Sequence, residues 1–332
     1  MRTITVPIPG HEYDILINPG ILHKIDTWLD PNDHYVIITD DYIPKQYCNT
    51  IQSILPKHLV LEIPYGETSK RLDVAENLIH RMLENGVTRS SKVISLGGGV
   101  VGDLAGFVAS IYMRGIDYIQ IPTTLLSQID SSVGGKVGVN TTYMKNAIGA
   151  FKQPRLVLID SNTLKTLDKK QINSGIAEMI KYGLISSKSL FEDLKSLDVL
   201  ADIDPYIEQC VRIKKDIVVQ DEFDHGIRQL LNYGHTIGHA IEQYSNYAIL
   251  HGEAIAIGMA KMSIGMSHYD DLLELLRKYD LPTSYDYDKE QLYQYITTDK
   301  KASGDDLNII LVEKVGNGYI QRIKINEIKS RL

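Results

Sequence analysis

The sequence predicts an α/β domain with a mostly parallel sheet over residues 1–167, followed by a mainly α-helical domain over residues 168–332. In the first part, short runs rich in β-branched residues alternate with helical patterns, which is typical of a parallel sheet covered by helices. From about residue 169 to about residue 298, helical patterns follow one another. A length of 332 residues also fits two domains that each bury a core.

The elements can be placed in order along the chain. Strands are expected at residues 4–8, 13–17, 35–38, 59–63, 92–96 and 118–121, and helices at 44–55, at 69–84 and from the glycines after residue 96 to about Tyr112. The first two strands flank Pro9-Gly10-His11, which is typical of a hairpin. In the second half, breaks between helices are expected at Gly175, Asp204-Pro205, Gly226 and Pro282, and a late hairpin at residues 308–323 around Gly316-Asn-Gly318.

The composition is that of a globular protein from a reducing compartment. Apolar residues make up 43% and charged residues 23% of the chain, without a low-complexity tract. A formal net charge of −7 argues against a nucleic-acid partner bound through phosphate contacts. Cys48 and Cys210 are isolated, which argues against a disulfide framework. Because neither a signal-peptide pattern nor a membrane-length apolar window is found, we expect a cytoplasmic protein.

Histidines concentrate at the start of two predicted helices. His235 and His239 stand at i and i+4 on one helical face, and His251 opens the next apolar helix. Nitrogen ligands that converge from separate elements suit zinc, although histidines on helices are more often surface or core-edge residues. Spacing alone favours His235 with His239. Glu178, flanked by apolar residues, could add an oxygen ligand, although an ordinary i, i+3 surface ion pair with Lys181 is the commoner explanation.

The glycine turn after the strand at 92–96 favours dinucleotide binding. Gly97, Gly99 and Gly102 fit G-x-G-x-x-G between a strand and a helix, where backbone amides can approach a pyrophosphate. A tight strand-to-helix turn would use the same glycines, and Asp117 precedes a strand where the usual motif has an acid that ends one. We expect the active site in the cleft between the two domains. Polar residues expected to serve the dinucleotide are Glu67, Lys70, Thr123 and Thr124.

The stretch from residue 130 to residue 152 is predicted to be a ligand-binding loop. Asp130-Ser-Ser-Val-Gly-Gly-Lys-Val-Gly-Val-Asn140 is rich in glycine and polar groups, and loops of this kind usually contact ligands. A mobile surface loop is the alternative. Cations and amides that could hold a phosphate or carboxylate are Arg114, Lys136, Lys145, Asn146 and Lys152.

Together these stretches resemble the 3-dehydroquinate synthase family of sugar phosphate cyclases over nearly the whole chain. The resemblance is carried by Gly97-Gly-Gly-Val-Val-Gly-Asp-Leu104, Arg114-Gly115, Pro122-Thr-Thr-Leu-Leu126, residues 130–140, Lys145-Asn146, Ser174-Gly-Ile-Ala-Glu-Met-Ile-Lys-Tyr-Gly183, Asp221-Glu222, Arg228, residues 231–242 and His251-Gly-Glu-Ala254. Three positions depart from the family pattern: Lys152, Asp168 and Asp224.

The resemblance implies which residues serve the metal, the cofactor and the substrate. Zinc, for which cobalt is a substitute, would be held by Glu178, His235 and His251, with His239 nearby but unligated. NAD would lie on a Rossmann-like first domain, at Asp40, Glu67, Lys70, Gly97, Gly98, Gly99, Gly102, Asp103, Thr123, Thr124, Leu126, Lys136, Lys145, Thr166 and Leu167. Substrate residues would be Arg114, Asp130, Lys136, Lys145, Asn146, Lys181, Lys214, Arg228, Asn232, His239 and one of the pair Lys300 and Lys301.

The activity implied by the resemblance is that of a phosphate-eliminating lyase of the shikimate pathway. It would convert 3-deoxy-D-arabino-heptulosonate 7-phosphate into 3-dehydroquinate through transient oxidation by NAD, phosphate elimination, reduction and aldol closure. The partner would be this phosphorylated keto acid, with neither nucleic acid nor membrane, and the assembly a homodimer. Alternatives are cyclases that make inosose or valiolone rings, a dehydrogenase related to glycerol dehydrogenase or iron-type alcohol dehydrogenase, and a non-catalytic binding protein.

Overall fold

The chain divides into two compact units, Met1–Leu167 and Asp168–Leu332. The computed structural model describes residues 1–300 and 306–332, without the side chains of residues 298–300. Within these described residues, the helices are all too short or too polar to cross a lipid bilayer.

The first unit is built on a mostly parallel sheet. Its strands are β1 (Arg2–Val6), β2 (Tyr13–Ile17), β3 (Tyr35–Asp40), β4 (His58–Ile63), β5 (Lys92–Gly97), β6 (Tyr118–Pro122), β7 (Lys136–Val139), β8 (Ile148–Phe151) and β9 (Leu156–Ile159). Seven of them form one sheet in the order β1-β2-β9-β6-β5-β3-β4. The β1–β2 hairpin is antiparallel and the other pairings are parallel. The predicted hairpin and the predicted parallel sheet are both confirmed.

Helices cover both faces of this sheet. They are α1 (Lys45–Ile54), α2 (Leu72–Glu84) and α3 (Gly99–Ile111). Buried side chains of α2 and α3 pack on one face, and those of α1 and a short 3₁₀ segment at Ile21–Thr27 pack on the other. Because both faces are covered, the central strands are buried along most of their length, and all six residues of β3 are buried. The carboxyl ends of β3, β5 and β6 lie side by side, because these strands are parallel neighbours in the sheet.

The predicted loop at residues 130–152 is wrong in part, because it contains the antiparallel pair β7 and β8. Gly138 and Gly149 face each other across this pair. A Cβ atom on Gly138 would lie 2.7 Å from the carbonyl oxygen of Ile148, and one on Gly149 would lie 2.5 Å from that of Val137. The glycines that suggested an irregular loop instead allow two backbones to approach closely.

The second unit is helical, as predicted, and ends in a hairpin. Its helices are α4 (Lys169–Ser186), α5 (Lys188–Ser196), α6 (Asp204–Gln220), α7 (His235–Tyr244), α8 (His251–Met262), α9 (Tyr269–Lys278) and α10 (Lys289–Lys300), followed by β10 (Asp306–Lys314) and β11 (Asn317–Lys324). The break expected at Gly175 is wrong, since this residue lies inside α4. Helix α8 packs against this turn of α4, where the N–H of Gly252 donates to Ser174 Oγ at 3.0 Å. Packing outweighs the low helix propensity of one glycine.

Candidate metal centre and dinucleotide site

Glycines let α7 and α8 approach until their backbones touch. A Cβ atom on Gly258 would lie 2.0 Å from the carbonyl oxygen of Gly234, and one on Gly238 would lie 3.0 Å from that of Ala254. Backbone atoms cannot rotate away as flexible side chains can, so the contact fixes the distance between the two helices. His235 opens α7 and His251 opens α8, and the contact therefore also fixes the separation of their imidazoles.

Glu178 of α4 lies between these two histidines and is completely buried. Its Oε1 atom is 3.6 Å from His235 Nε2 and 3.4 Å from His251 Nε2. Its other oxygen pairs with the buried ammonium of Lys181. The ion pair suggested by the sequence therefore exists, but it lies in the interior and not on the surface. One carboxylate oxygen and two imidazole nitrogens converge on one point, each within 4.8 Å of the others.

The outer nitrogen of each imidazole faces a second acceptor. His235 Nδ1 lies 3.1 Å from the carbonyl oxygen of Tyr233, and His251 Nδ1 lies 3.5 Å from Glu242 Oε2. Protons on these two Nδ1 atoms leave the Nε2 lone pairs directed toward Glu178. That tautomer is the one needed for both rings to bind a cation through Nε2.

Burial and charge shift the pKa values of the two imidazoles in opposite directions. Burial, reinforced by the Lys181 ammonium, lowers the pKa of His235 well below its ordinary value. Burial also opposes protonation of His251, but the nearby carboxylates of Glu178 and Glu242 outweigh it and raise the pKa of His251 to about 10. The two carboxylates thus favour a positive charge beside His251. A bound divalent cation satisfies the same requirement.

His239 lies beside the converging donors and stands apart from them. Its ring centroid is 5.1 Å from that of His235, and its Nε2 is 3.9 Å from Glu242 Oε2. Half of its side-chain surface is exposed. Spacing alone favoured His235 with His239, whereas the structure groups His235 with Glu178 and His251. It also groups His239 with Glu242 and His251. Glu242 was not expected from the sequence, where its i, i+3 spacing from His239 was the available signal.

The remaining predicted substrate residues of the helical unit differ in burial. Lys214 on α6 and Arg228 are buried, and Asn232 is exposed. Arg228 Nη1 donates to the carbonyl oxygen of Glu222, so the loop after α6 helps to fix the position of the guanidinium. Lys301 and the side chain of Lys300 lie outside the described residues.

The glycine turn joins β5 to α3 with no room for side chains. Gly97 ends the strand and Gly99 begins the helix. A Cβ atom on Gly97 would lie 2.6 Å from Val101 Cγ2, and one on Gly98 would lie 3.1 Å from Thr124 Cγ2. A backbone turn at the N-terminus of a 13-residue helix can bind a phosphate through its N–H groups.

Several predicted cofactor residues form one polar network near this turn. Lys70 Nζ lies 2.5 Å from Asp103 Oδ2 and 2.5 Å from Asn146 Oδ1. Lys145 Nζ lies 4.0 Å from Glu67 Oε1, which also accepts a hydrogen bond of 2.7 Å from Asn140. Residues 67–70, the first turns of α3 and the tip of the β7–β8 hairpin are thereby connected.

The other predicted cofactor and substrate residues of the first unit differ in position and burial. Asp40 ends β3, and its Oδ1 accepts the N–H groups of Tyr42 at 3.0 Å and Ile43 at 3.1 Å. Burial raises its pKa in spite of these bonds. Thr123 Oγ1 is buried and has no hydrogen-bond partner among the described residues, which leaves it available to a ligand. Thr166 Oγ1 instead pairs with Tyr47 at 2.8 Å. Among those not yet placed, Thr124, Leu126, Asp130 and Leu167 are half-buried, and Arg114 and Lys136 are exposed.

Comparison with known proteins gives a consistent result over the whole chain. Residues 60–174 match the N-terminal domain of 3-dehydroquinate synthase, and residues 175–302 match its C-terminal domain. The chain is 43% identical to a 3-dehydroquinate synthase from Streptococcus suis over 98% of both chains. It is also 43% identical to one from Enterococcus faecalis, over 99% of this chain and 98% of that relative.

A solved structure of similar fold is 2-deoxy-scyllo-inosose synthase complexed with carbaglucose-6-phosphate, NAD⁺ and Co²⁺. It superposes with a TM-score of 0.88 at 26% identity and covers 99% of each chain.

Proposed function

The chain belongs to the 3-dehydroquinate synthase family, and from that premise we propose how its residues serve the reaction. The reaction converts 3-deoxy-D-arabino-heptulosonate 7-phosphate into 3-dehydroquinate and phosphate, a step of the shikimate pathway toward the aromatic amino acids. The observation that carries the proposal is the convergence of the half-buried His235 and His251 on the buried Glu178 in the helical unit.

The donors fit a divalent metal in number, chemistry and spacing. Ligand atoms around a tetrahedral zinc, each at ~2.0–2.1 Å, are about 3.4 Å apart. Glu178 Oε1 lies 3.4 and 3.6 Å from the two imidazole nitrogens, which is too long for strong hydrogen bonds and close to this spacing. Three protein ligands leave a position for substrate. When bound there, zinc or cobalt supplies Lewis-acid activation of a substrate hydroxyl.

The α/β unit supplies the dinucleotide site in this proposal. The glycine turn would receive the pyrophosphate at the N-terminus of α3, and Asp40 and Glu67 offer carboxylates for ribose hydroxyls. Support comes from Thr123, whose buried hydroxyl has no hydrogen-bond partner among the described residues. When bound, NAD supplies reversible acceptance of hydride, so the cofactor is restored within each turnover.

Basic and amide side chains would neutralise and orient the anionic groups of the substrate. Lys136, Lys145, Asn146 and Arg114 would orient the phosphate, while Lys181 and Arg228 would serve the carboxylate or the hydroxyls. The backbone supports a functional role for Arg114, since its φ of 70° and that of Met113, 47°, lie in the left-handed region.

Proton transfer is assigned to His239. Its half-exposed imidazole stands next to the donors without belonging to the converging set. A histidine in this position can carry a proton from the oxidised hydroxyl or during ring closure. Replacement of His239 by Ala should lower turnover by ~10²- to 10⁴-fold with zinc still bound. Full turnover in that variant would remove the role.

The deciding experiment is identification of the product formed from 3-deoxy-D-arabino-heptulosonate 7-phosphate with NAD present. Release of phosphate with 3-dehydroquinate as the ring product and no net NADH is expected. A product formed only from other sugar phosphates would favour an inosose or valiolone cyclase. Accumulating NADH on simple alcohols would favour a dehydrogenase, and binding of zinc and NAD without turnover would favour a non-catalytic protein.

We further propose that the chain acts in the cytoplasm as a homodimer. Both cysteines are buried free thiols, which supports a reducing compartment. The dimer rests on the family resemblance alone. Light scattering from purified protein would test it, and a monomeric mass at micromolar concentration would contradict it.

A further inference from the structure

Glu242 is a buried carboxylate to which the proposed mechanism gives no role. It lies on α7, and only 5% of its surface is exposed. Its Oε2 atom is 3.5 Å from His251 Nδ1 and 3.9 Å from His239 Nε2. An ionised carboxylate at this depth is costly unless opposite charges or hydrogen-bond donors compensate it. The imidazole of His251, the nearer of the two, is placed to compensate this carboxylate.

The contact with His251 is directional. His251 Nε2 lies 3.4 Å from Glu178 Oε1, so the two nitrogens of one ring face two different carboxylates. A carboxylate that accepts the Nδ1 proton of a metal-binding histidine fixes its tautomer and ring orientation, and it makes the ligand nitrogen more basic. His235 Nδ1 instead lies 3.1 Å from the neutral carbonyl oxygen of Tyr233. Of the two histidines beside Glu178, His251 is therefore the one whose Nδ1 faces a carboxylate.

The contact with His239 joins the proton carrier to the same carboxylate. His239 and Glu242 are one turn apart on α7, so their side chains lie on the same helical face. One oxygen of Glu242 thereby lies between a ring that would hold metal and a ring that would move a proton. A change at Glu242 should consequently alter the orientation of both rings.

We propose that Glu242 is a positioning residue that orients His251 toward the metal and His239 toward the substrate. The inference rests on the proposed metal centre. It predicts a role in metal affinity and in turnover for a residue that contacts neither metal nor substrate.

The test compares Glu242→Gln and Glu242→Ala with a matched control, Glu253→Gln. The amide of Gln still accepts the Nδ1 proton but carries no charge, whereas Ala removes the acceptor. Glu253 stands two residues after His251 and accepts the N–H of Leu250 at 2.8 Å, so the control changes a nearby carboxylate that caps the helix. Zinc affinity would be measured by chelator competition, and ligand geometry by the visible spectrum of the cobalt-loaded protein.

Glu242→Ala should weaken zinc binding by ~10- to 100-fold and shift the cobalt bands, with Glu242→Gln between it and the native chain. In both variants kcat should fall by a larger factor than KM changes, because His239 is displaced too. Glu253→Gln should keep native zinc affinity and the native cobalt spectrum. If Glu242→Ala fails to fold by circular dichroism, the isosteric Gln variant decides the question.

Native zinc affinity and an unshifted cobalt spectrum in the Gln and Ala variants would overturn the inference. A second cobalt ion bound by the native chain and lost in these variants would also overturn it, because Glu242 would then be a ligand itself. A native chain that binds no zinc would refute the proposed metal centre as well. Zinc binding that disappears in His251→Ala but survives unchanged in Glu242→Ala refutes this inference alone.

Discussion

Replacement of Gly258 by Ala should push α7 and α8 apart and so displace the histidines of the metal centre. The new Cβ atom would lie 2.0 Å from the carbonyl oxygen of Gly234, about 1.4 Å short of the 3.4 Å at which ordinary contact begins. It would also lie 3.0 Å from the backbone nitrogen of Gly238. These are backbone atoms of α7 and the turn before it, so relief requires α7 and α8 to separate by up to about 1.4 Å at this contact.

The expected cost follows from this shift. Overpacking of a tight contact costs ~1–3 kcal/mol, and a rigid backbone clash lies at the upper end. Alanine regains ~1 kcal/mol of helix propensity, so a net loss of about 2 kcal/mol is expected. Metal sites tolerate ligand displacements of only ~0.2 Å, and the zinc affinity should therefore fall by at least about tenfold.

Urea unfolding of the zinc-free protein and chelator competition measure the two effects. Gly265→Ala is the control, because nothing lies within 4 Å of its Cβ position and only its φ of 82° opposes the change. That strain costs ~1–2 kcal/mol and should leave zinc affinity unchanged. If Gly258→Ala kept both native stability and native zinc affinity, the argument from helix contact to ligand geometry would be wrong.

Three further changes have expected results. Lys181→Met removes the buried ammonium that pairs with Glu178 and should cost ~3–5 kcal/mol in the zinc-free protein but less with zinc bound; an equal loss in both states would contradict the shared role. Asp168→Ala removes the side chain that accepts the N–H of Gln171 and should cost ~1 kcal/mol in urea unfolding, with zinc affinity unchanged. Burial opposes ionisation of Asp221, but the N–H groups of His225, Arg228 and Gly226 outweigh it and hold its pKa below 3.8. Its contribution to stability is therefore complete above that pH and lost as the pH falls through the depressed pKa. The stability difference between the native chain and Asp221→Asn should shrink on acidification, and a constant difference from pH 6 to pH 3 would contradict this assignment.

The fold could be predicted from local patterns because each unit follows one periodicity. Apolar strands such as β3 and β5 are buried on both faces and separated by helical segments, which indicated the parallel sheet. The β7–β8 pair was missed because it depends on the close approach of two facing glycines. A glycine-rich stretch resembles a loop until its partner strand is known. Gly175 was misread for a similar reason, since its helix is held by packing on α8.

The candidate site could be predicted only in part from spacing. The i, i+4 rule relates His235 to His239, but it cannot show that His251 at the start of α8 lies beside Glu178. The ligand set came from the family resemblance and stays a prediction until metal is measured. Glu242 was missed because its importance depends on which nitrogen of His251 it faces, and sequence spacing carries no such information.

Metal reconstitution tests the central claim most directly. The purified protein would be stripped of metal and titrated with zinc in the presence of NAD and 3-deoxy-D-arabino-heptulosonate 7-phosphate, while phosphate and NADH are followed together. The proposal predicts phosphate release that rises to a plateau at about one zinc per chain, without net NADH. Phosphate release that is independent of zinc, or NADH that accumulates in step with turnover, would contradict it.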